Sequence, residues 1–107
     1  MLAPKLCPPY YAVIFSSLKS EEQQGYSEMA EKMWHLASQQ PGFLGAESAS
    51  DDIGVTVSYW QSLEAIANWK QNSEHQLAQK MGRQQWYQTF RLRIAKVERE
   101  YAMETPD

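Results

Sequence analysis

Within eight residues the chain places Asn68, Trp69, Asn72 and His75. A neutral imidazole can accept a proton, and an indole offers a flat plane to a flat ligand. Positions 68, 72 and 75 are spaced i, i+4, i+7 and share one face of a helix if the helix is close to continuous; the same spacing also describes a solvated face. Ser73 to Gln76 has the spacing of a capping box, so a break at Asn72-Ser73 is expected, with His75 in the first turn of a new helical segment. The positive helix end disfavours imidazolium there and predicts a neutral ring at pH 7. On an unbroken helix Trp69 and His75 would point about 120° apart, so the break is what lets both line one pocket. A core tryptophan sealing helix to sheet accounts for Trp69 equally well.

A second group lies on expected strands. Tyr59, Trp60 and Trp86 could line a cavity or an interface between subunits. Arg91 and Arg93 project from one face of the last strand, with Tyr87, and could clamp a carboxylate through paired N–H donors. Their simpler use is cross-strand pairing with acids, and Glu47 is the expected partner on a neighbouring strand. His35 sits opposite the apolar stripe of its helix and should face solvent.

The elements that position these residues follow from patterning. Residues 1–9 hold three prolines and read as an extended arm. Residues 10–17 are aromatic and β-branched, apolar on both faces, as in a central strand covered on both sides. Ser20 to Gln23 is a capping box opening a helix that stops before Pro41-Gly42, with Tyr26, Met29, Ala30, Met33 and Ala37 as its buried stripe. Residues 43–48 and 53–60 form a hairpin around Ser50-Asp51-Asp52, and the second strand alternates strictly. Ser62 caps a helix that turns Leu63, Ile66 and Ala67 inward. A further segment runs to Met81, with Gly82 just beyond it. Residues 86–101 read as one strand of near 50 Å at about 3.3 Å per residue. Its apolar face slips after Ile94, which predicts a bulge, and its length suggests that the end pairs with a second subunit. The order β-α-β-β-α-β is the split βαβ, ferredoxin-like α+β arrangement: an arm over 1–9, one domain over 10–101 and a tail over 102–107.

Composition narrows the function classes. With 107 residues there is one domain, and a surface fraction high enough that a homodimer would help it bury apolar area. The net charge of −3 with mixed signs argues against a nucleic-acid partner. One cysteine, Cys7, allows no intrachain disulfide and no Cys-based metal cluster, and it fits a reducing cytoplasm. Residues 1–10 lack the apolar core of a signal peptide, so none is expected, and no apolar run is long enough to span a membrane. Four tryptophans and six tyrosines suit core filling, a dimer interface or a pocket for a flat, small aromatic molecule.

Pro41-Gly42-Phe43-Leu44-Gly45 with Glu47, then Tyr59-Trp60, Glu64-Ala65-Ile66, Trp69-Lys70, His75, Arg83 and Trp86-Tyr87, together resemble the antibiotic biosynthesis monooxygenase superfamily. The resemblance spans roughly residues 10–101. It implies a dimeric α+β barrel, two ferredoxin-like subunits with sheets face to face and C-terminal strands often exchanged. It also implies one of two oxygen-dependent activities: cofactor-independent oxidation of polyphenols or quinols, or haem degradation, with haem as substrate. A non-catalytic dimeric binding or stress-response domain is the reading from another class. By resemblance Asn68, Trp69 and His75 are the catalytic candidates, and His75 would be the iron ligand if haem binds. Tyr59, Trp60, Trp86, Arg91 and Arg93 are the substrate-binding candidates. The haem-degrading members use an Asn on the first strand, and residues 10–17 contain none. No resident cofactor is required, and no metal beyond haem iron is expected. The expected pocket lies between sheet and helices.

Overall fold

The computed structural model describes residues 2–19, 26–80 and 87–103, with backbone alone at 26, 74–80 and 87–88. The elements are β1 (Tyr10–Lys19), α1 (Tyr26–Ser38), β2 (Phe43–Ser50), β3 (Gly54–Trp60), α2 (Leu63–Lys80) and β4 (Tyr87–Val97). They build one four-stranded antiparallel sheet in the order β2-β3-β1-β4. This is the expected ferredoxin-like arrangement, and β1 is central as its two-sided apolar pattern requires.

The register sorts every strand residue onto a face. Tyr11 opposes Trp60 and Lys96, Val13 opposes Ser58 and Ile94, and Phe15 opposes Thr56 and Leu92. Val13 and Trp60 pack with Ala37 of α1 and Ile66 of α2, so this is the helix side of the sheet. Tyr10, Ala12, Ile14 and Ser16 point the other way, with Tyr59, Val57 and Val55 of β3, Glu47 and Ala49 of β2, and Arg91 and Arg93 of β4. Among the described residues no helix covers that second face. Residues of the arm cross part of it: a Cβ on Gly45 would stand 3.1 Å from Pro4 and 3.2 Å from Ala3.

Helix α2 starts where Ser62 predicts, its Oγ accepting from Ala65 N at 3.1 Å. The turn before it is fixed from the other side. Gly42 has φ +86°, Gln61 N donates to its carbonyl at 2.8 Å, and a Cβ there would lie 2.6 Å from the Ala65 Cβ. A glycine is needed both for the dihedral and for the close approach of turn to helix.

Several expectations are corrected. Helix α2 does not break at Asn72-Ser73. Ser73 Oγ donates back to the Lys70 carbonyl at 3.0 Å, a mid-helix use of the hydroxyl that leaves the backbone ladder running. Leu63 and Ala67 are exposed and Ala65, Ile66 and Trp69 turn inward, because the approach of Gly42 sets the rotation of the helix. In α1, Met29 and Ala37 are buried but Ala30 is exposed. Strand β4 ends at Val97, short of the length expected. Its pairing with β1 is in register from Val97 to Thr89, and the irregularity falls at Leu18/Lys19, not after Ile94. The apolar pattern shifts there for another reason. Ala95 and Val97 oppose Ala12 and Tyr10 on the helix-free face, and both of those are buried. The capping box at Ser20, the turn around Gly82, and residues Arg83 and Trp86 lie outside the described residues.

Candidate functional site

The candidate residues divide between the two faces of the sheet. Trp60 is on the helix side, with none of its surface exposed. Its Nε1 donates to Ser58 Oγ at 2.9 Å, Phe43 meets it edge-on at 5.4 Å, and Trp69 stacks on it at 6.2 Å with 22° between the planes. Trp69 is half-buried and closes helix α2 onto the sheet. Asn68 beside it is exposed, and Asn72 is half-buried.

Because α2 is continuous, position 75 lies in its interior and not at an N-terminus. The helix-end argument for a neutral His75 therefore does not apply. Positions 69 and 75 stand about 120° apart around the axis, whereas 68, 72 and 75 fall within about 60° of one another. The His75 side chain and all of Trp86 lie outside the described residues. His35 is exposed, as its helix phase requires.

On the helix side of the sheet, β4 presents Phe90, Leu92 and Ile94, which are 44%, 43% and 48% exposed. Phe15 stacks on Phe90 at 5.4 Å with 29° between the rings. The alternation of β4 marks these residues in the sequence, but it marks them as core. Their partial exposure is a tertiary fact: the described helix residues leave this edge of the sheet partly open.

Tyr59 lies on the helix-free face although it adjoins Trp60. Its hydroxyl donates to Glu47 Oε1 at 2.5 Å, and the other carboxylate oxygen accepts from Ala3 N at 3.3 Å. Tyr10 meets Tyr59 edge-on at 5.7 Å and donates to Glu100 Oε1 at 2.5 Å, while Glu100 Oε2 accepts from Leu6 N at 2.9 Å. Two tyrosines and two glutamates thus fasten arm and tail to the sheet. Burial first, then the bond to Glu100 and the nearby carboxylates, push Tyr10 up to about 12. Burial, then the bond to Glu47 and its charge, push Tyr59 up as well. The bond from Tyr10, then that from Leu6, hold Glu100 below its ordinary value. Both phenols are therefore protonated donors at neutral pH, which suits fastening and not proton transfer. Sequence reading missed this cluster. A lone glutamate among the apolar residues of β2 was the available signal.

Arg91 and Arg93 are exposed on the same face. Arg91 Nη1 donates to Thr89 Oγ1 at 3.1 Å and to the Phe90 carbonyl at 3.2 Å. The expected pairing with Glu47 is corrected: β2 and β4 are opposite edges of the sheet, with β3 and β1 between them. An open depression of about 480 Å³ on this face is lined by Leu2, Glu47, Ser48, Ala49, Val55 and Val57. Among the described residues no group of three or more His, Cys, Asp or Glu is placed to hold a metal ion.

A family model described as antibiotic biosynthesis monooxygenase matches residues 9–81. The chain belongs to that family. The Bacillus subtilis protein YqjZ, itself uncharacterised, is 56% identical over 95 residues, 87% of this chain and 83% of that one. Among solved structures, SnoaB from Streptomyces nogalater, a cofactor-independent oxygenase, aligns with a TM-score of 0.67 over 91% of this chain and 100% of its own, at 10% identity. PA3566 from Pseudomonas aeruginosa aligns with a TM-score of 0.66 over 88% and 97%, at 15% identity. At such identities the shared property is the fold, and the family assignment brings monooxygenase chemistry to it at the level of the family.

Proposed function

We propose that this member of the antibiotic biosynthesis monooxygenase family oxidises a flat phenolic substrate, a polyphenol or quinol, with O₂ and without a resident cofactor. The substrate lies between the sheet and α2. The observation that carries this reading is the half-exposed apolar floor of Phe15, Phe90, Leu92 and Ile94 on the helix side of the sheet. A flat ring gains from such a floor, and the polar stripe at positions 68, 72 and 75 of the continuous helix supplies groups to hold and deprotonate a phenol. The resulting phenolate has carbanion character at a ring carbon and reduces O₂ itself. One oxygen atom enters at the ring C–H carbon para to the phenolate oxygen, which becomes a quinone C=O, and the other leaves as water with the phenolic and ring hydrogens. The substrate supplies all the electrons. In this scheme Trp69 and Trp60 form the packed wall beside the site.

Haem is the second substrate class. It needs Trp69 and His75 to converge on one ligand, and the 120° between their positions on an unbroken helix works against it. The protein acts as a homodimer through its helix-free face, where Ile14, Val55 and Val57 form an apolar surface that none of the described helices covers. Its single exposed thiol, Cys7, suits the reducing cytoplasm.

Oxygen uptake with a panel of polycyclic quinols tests the reading. Turnover by the wild type, with a loss of tenfold or more in Asn68→Ala, is the expected result. No uptake with any quinol, together with a stoichiometric Soret shift on haemin titration, would transfer the assignment to haem. Neither response would leave a non-catalytic domain.

A further inference from the structure

Four aromatic side chains follow one another through the sheet, and the proposed oxidation uses two of them only as a wall. Trp69, half-buried on α2, stacks on Trp60 at 6.2 Å with 22° between the planes. Trp60 has none of its surface exposed, so an oxidant arriving from solution reaches Trp69 first. Tyr59 precedes Trp60 in the chain and continues the line to the other side of the sheet by a short covalent path. Tyr10 meets Tyr59 edge-on at 5.7 Å on the helix-free face. Indole and phenol are the protein ring systems that give up a single electron most readily.

The hydrogen bonds at the two ends of this line differ, and the difference gives it a direction. Trp60 Nε1 donates to Ser58 Oγ at 2.9 Å, a neutral hydroxyl that is a poor base. Tyr59 and Tyr10 each donate to a glutamate at 2.5 Å, and Ala3 N and Leu6 N hold those two carboxylates from the arm. A resting phenol keeps its proton in such a bond. A phenol that has lost an electron is strongly acidic and releases its proton into it. An indolyl radical therefore takes an electron from Tyr59 as the phenolic proton moves to Glu47 Oε1, and the hole stays on the phenoxyl. Tyr10 with Glu100 offers a second place of the same kind. Tyr11 also packs against the Trp60 cluster, but among the described residues no carboxylate accepts from its hydroxyl.

We infer that Trp69, Trp60, Tyr59 and Tyr10 form a relay that draws oxidising equivalents away from α2 and holds them as a phenoxyl radical on the helix-free face. The oxidant is an oxygen-centred radical of the peroxyl or hydroperoxyl class. It takes one electron from Trp69 and one proton from solvent and becomes a hydroperoxide. Trp60 refills Trp69, and Tyr59 refills Trp60 and gives its proton to Glu47. A solution reductant of the thiol or ascorbate class returns one electron to the phenoxyl, and the proton on Glu47 returns to the phenol oxygen. The reductant gives up one electron and one proton, the radical gains one of each, and the protein ends unchanged. The relay goes beyond the reaction proposed above, because its wiring is the same whatever molecule is oxidised beside α2.

Pulse radiolysis of the full chain with the azide radical tests the relay without any substrate. A Trp34→Phe, Trp86→Phe background leaves Trp60 and Trp69 as the only indoles. In it the indolyl absorption should decay as the phenoxyl absorption grows, at a rate independent of protein concentration. Tyr59→Phe should slow this conversion at least tenfold. Glu47→Gln keeps the phenol and a hydrogen-bond acceptor but removes the base, and should slow it severalfold. Tyr11→Phe should leave the rate unchanged. Circular dichroism confirms that each variant is folded, and the native chain with and without Tyr59→Phe gives the same comparison if the background is not. An unchanged rate in Tyr59→Phe, a conversion lost in Tyr11→Phe instead, or an indolyl radical that persists in the background protein would each overturn the relay. The substrate reading stands or falls separately, by oxygen uptake.

Discussion

Tyr59 and Trp60 are adjacent in the sequence, and the strand sends them to opposite sides of the sheet and to different kinds of work. On the helix side, Trp60 is sealed by Phe43 and Trp69 within a cluster closed by Val13, Ala37 and Ile66. Stability there comes from apolar area taken out of water. On the helix-free side Tyr59 is held by a carboxylate, which also holds the arm, and Tyr10 repeats the device with Glu100. Stability there comes from a few charge-assisted hydrogen bonds over a surface still partly open. One sheet thus carries a finished core on one face and an unfinished surface on the other. The proposed substrate floor occurs where the finished face runs out, at β4.

The comparison breaks most visibly at Trp60. Trp60→Ala removes the fully buried indole and should cost about 3–5 kcal/mol in urea or thermal unfolding. A loss below about 1 kcal/mol would mean that the helix side is not the main core. Gly42→Ala should come next, at about 1–3 kcal/mol, because it meets both a positive φ and the Ala65 Cβ. On the other face, Tyr59→Phe and Tyr10→Phe should each cost about 1 kcal/mol at neutral pH.

The tyrosines also carry a pH signature. The folded value of Tyr10, about 12, lies above the ordinary value of 10. Its contribution is therefore complete below pH 10 and is lost as pH rises from 10 toward 12. Unfolding free energies measured between pH 8 and 11 should fall more steeply in wild type than in the Tyr10→Phe, Tyr59→Phe double variant. Equal slopes would remove the phenols from the account. On the acid side Glu100 has the opposite sign, since its folded value is depressed. Its contribution is present above the ordinary carboxylate range and disappears as pH falls through the folded value. The smallest stability effect belongs to Asn68→Ala, within about 0.5 kcal/mol, because the side chain is exposed. Its effect on oxygen uptake should be large by contrast, and that separation distinguishes a site residue from a packing residue.

Much of this was legible in the chain. Alternation in residues 53–60, the two-sided apolar pattern of β1 and the Ser62 cap are local signals, because strand pleat and helix termini are decided by near neighbours. The family motif around Pro41-Gly42-Phe43 was legible for the same reason, since a tight turn against a helix demands that glycine. The break at Asn72-Ser73 was misread because a serine hydroxyl serves equally as a cap or as a donor to a carbonyl one turn back, and sequence spacing does not separate the two. The inward face of α2 was misread at Leu63 and Ala67. Gly42 approaches Ala65 from outside the helix, and the hydrophobic pattern of the helix contains no trace of that contact.

The sequence by itself determined which elements form, their order, and the family, because hydrophobic period, caps and turns act over a few residues. Only the tertiary structure decided which candidates share a surface. It joined Trp69 to Trp60 as packing, set Arg93 and Glu47 at opposite ends of one row, and fastened residues 3 and 6 to glutamates 44 and 94 positions away. Register and sheet order set those distances. They are fixed by the mutual fit of strands far apart in the chain, and no local pattern of residues encodes that fit.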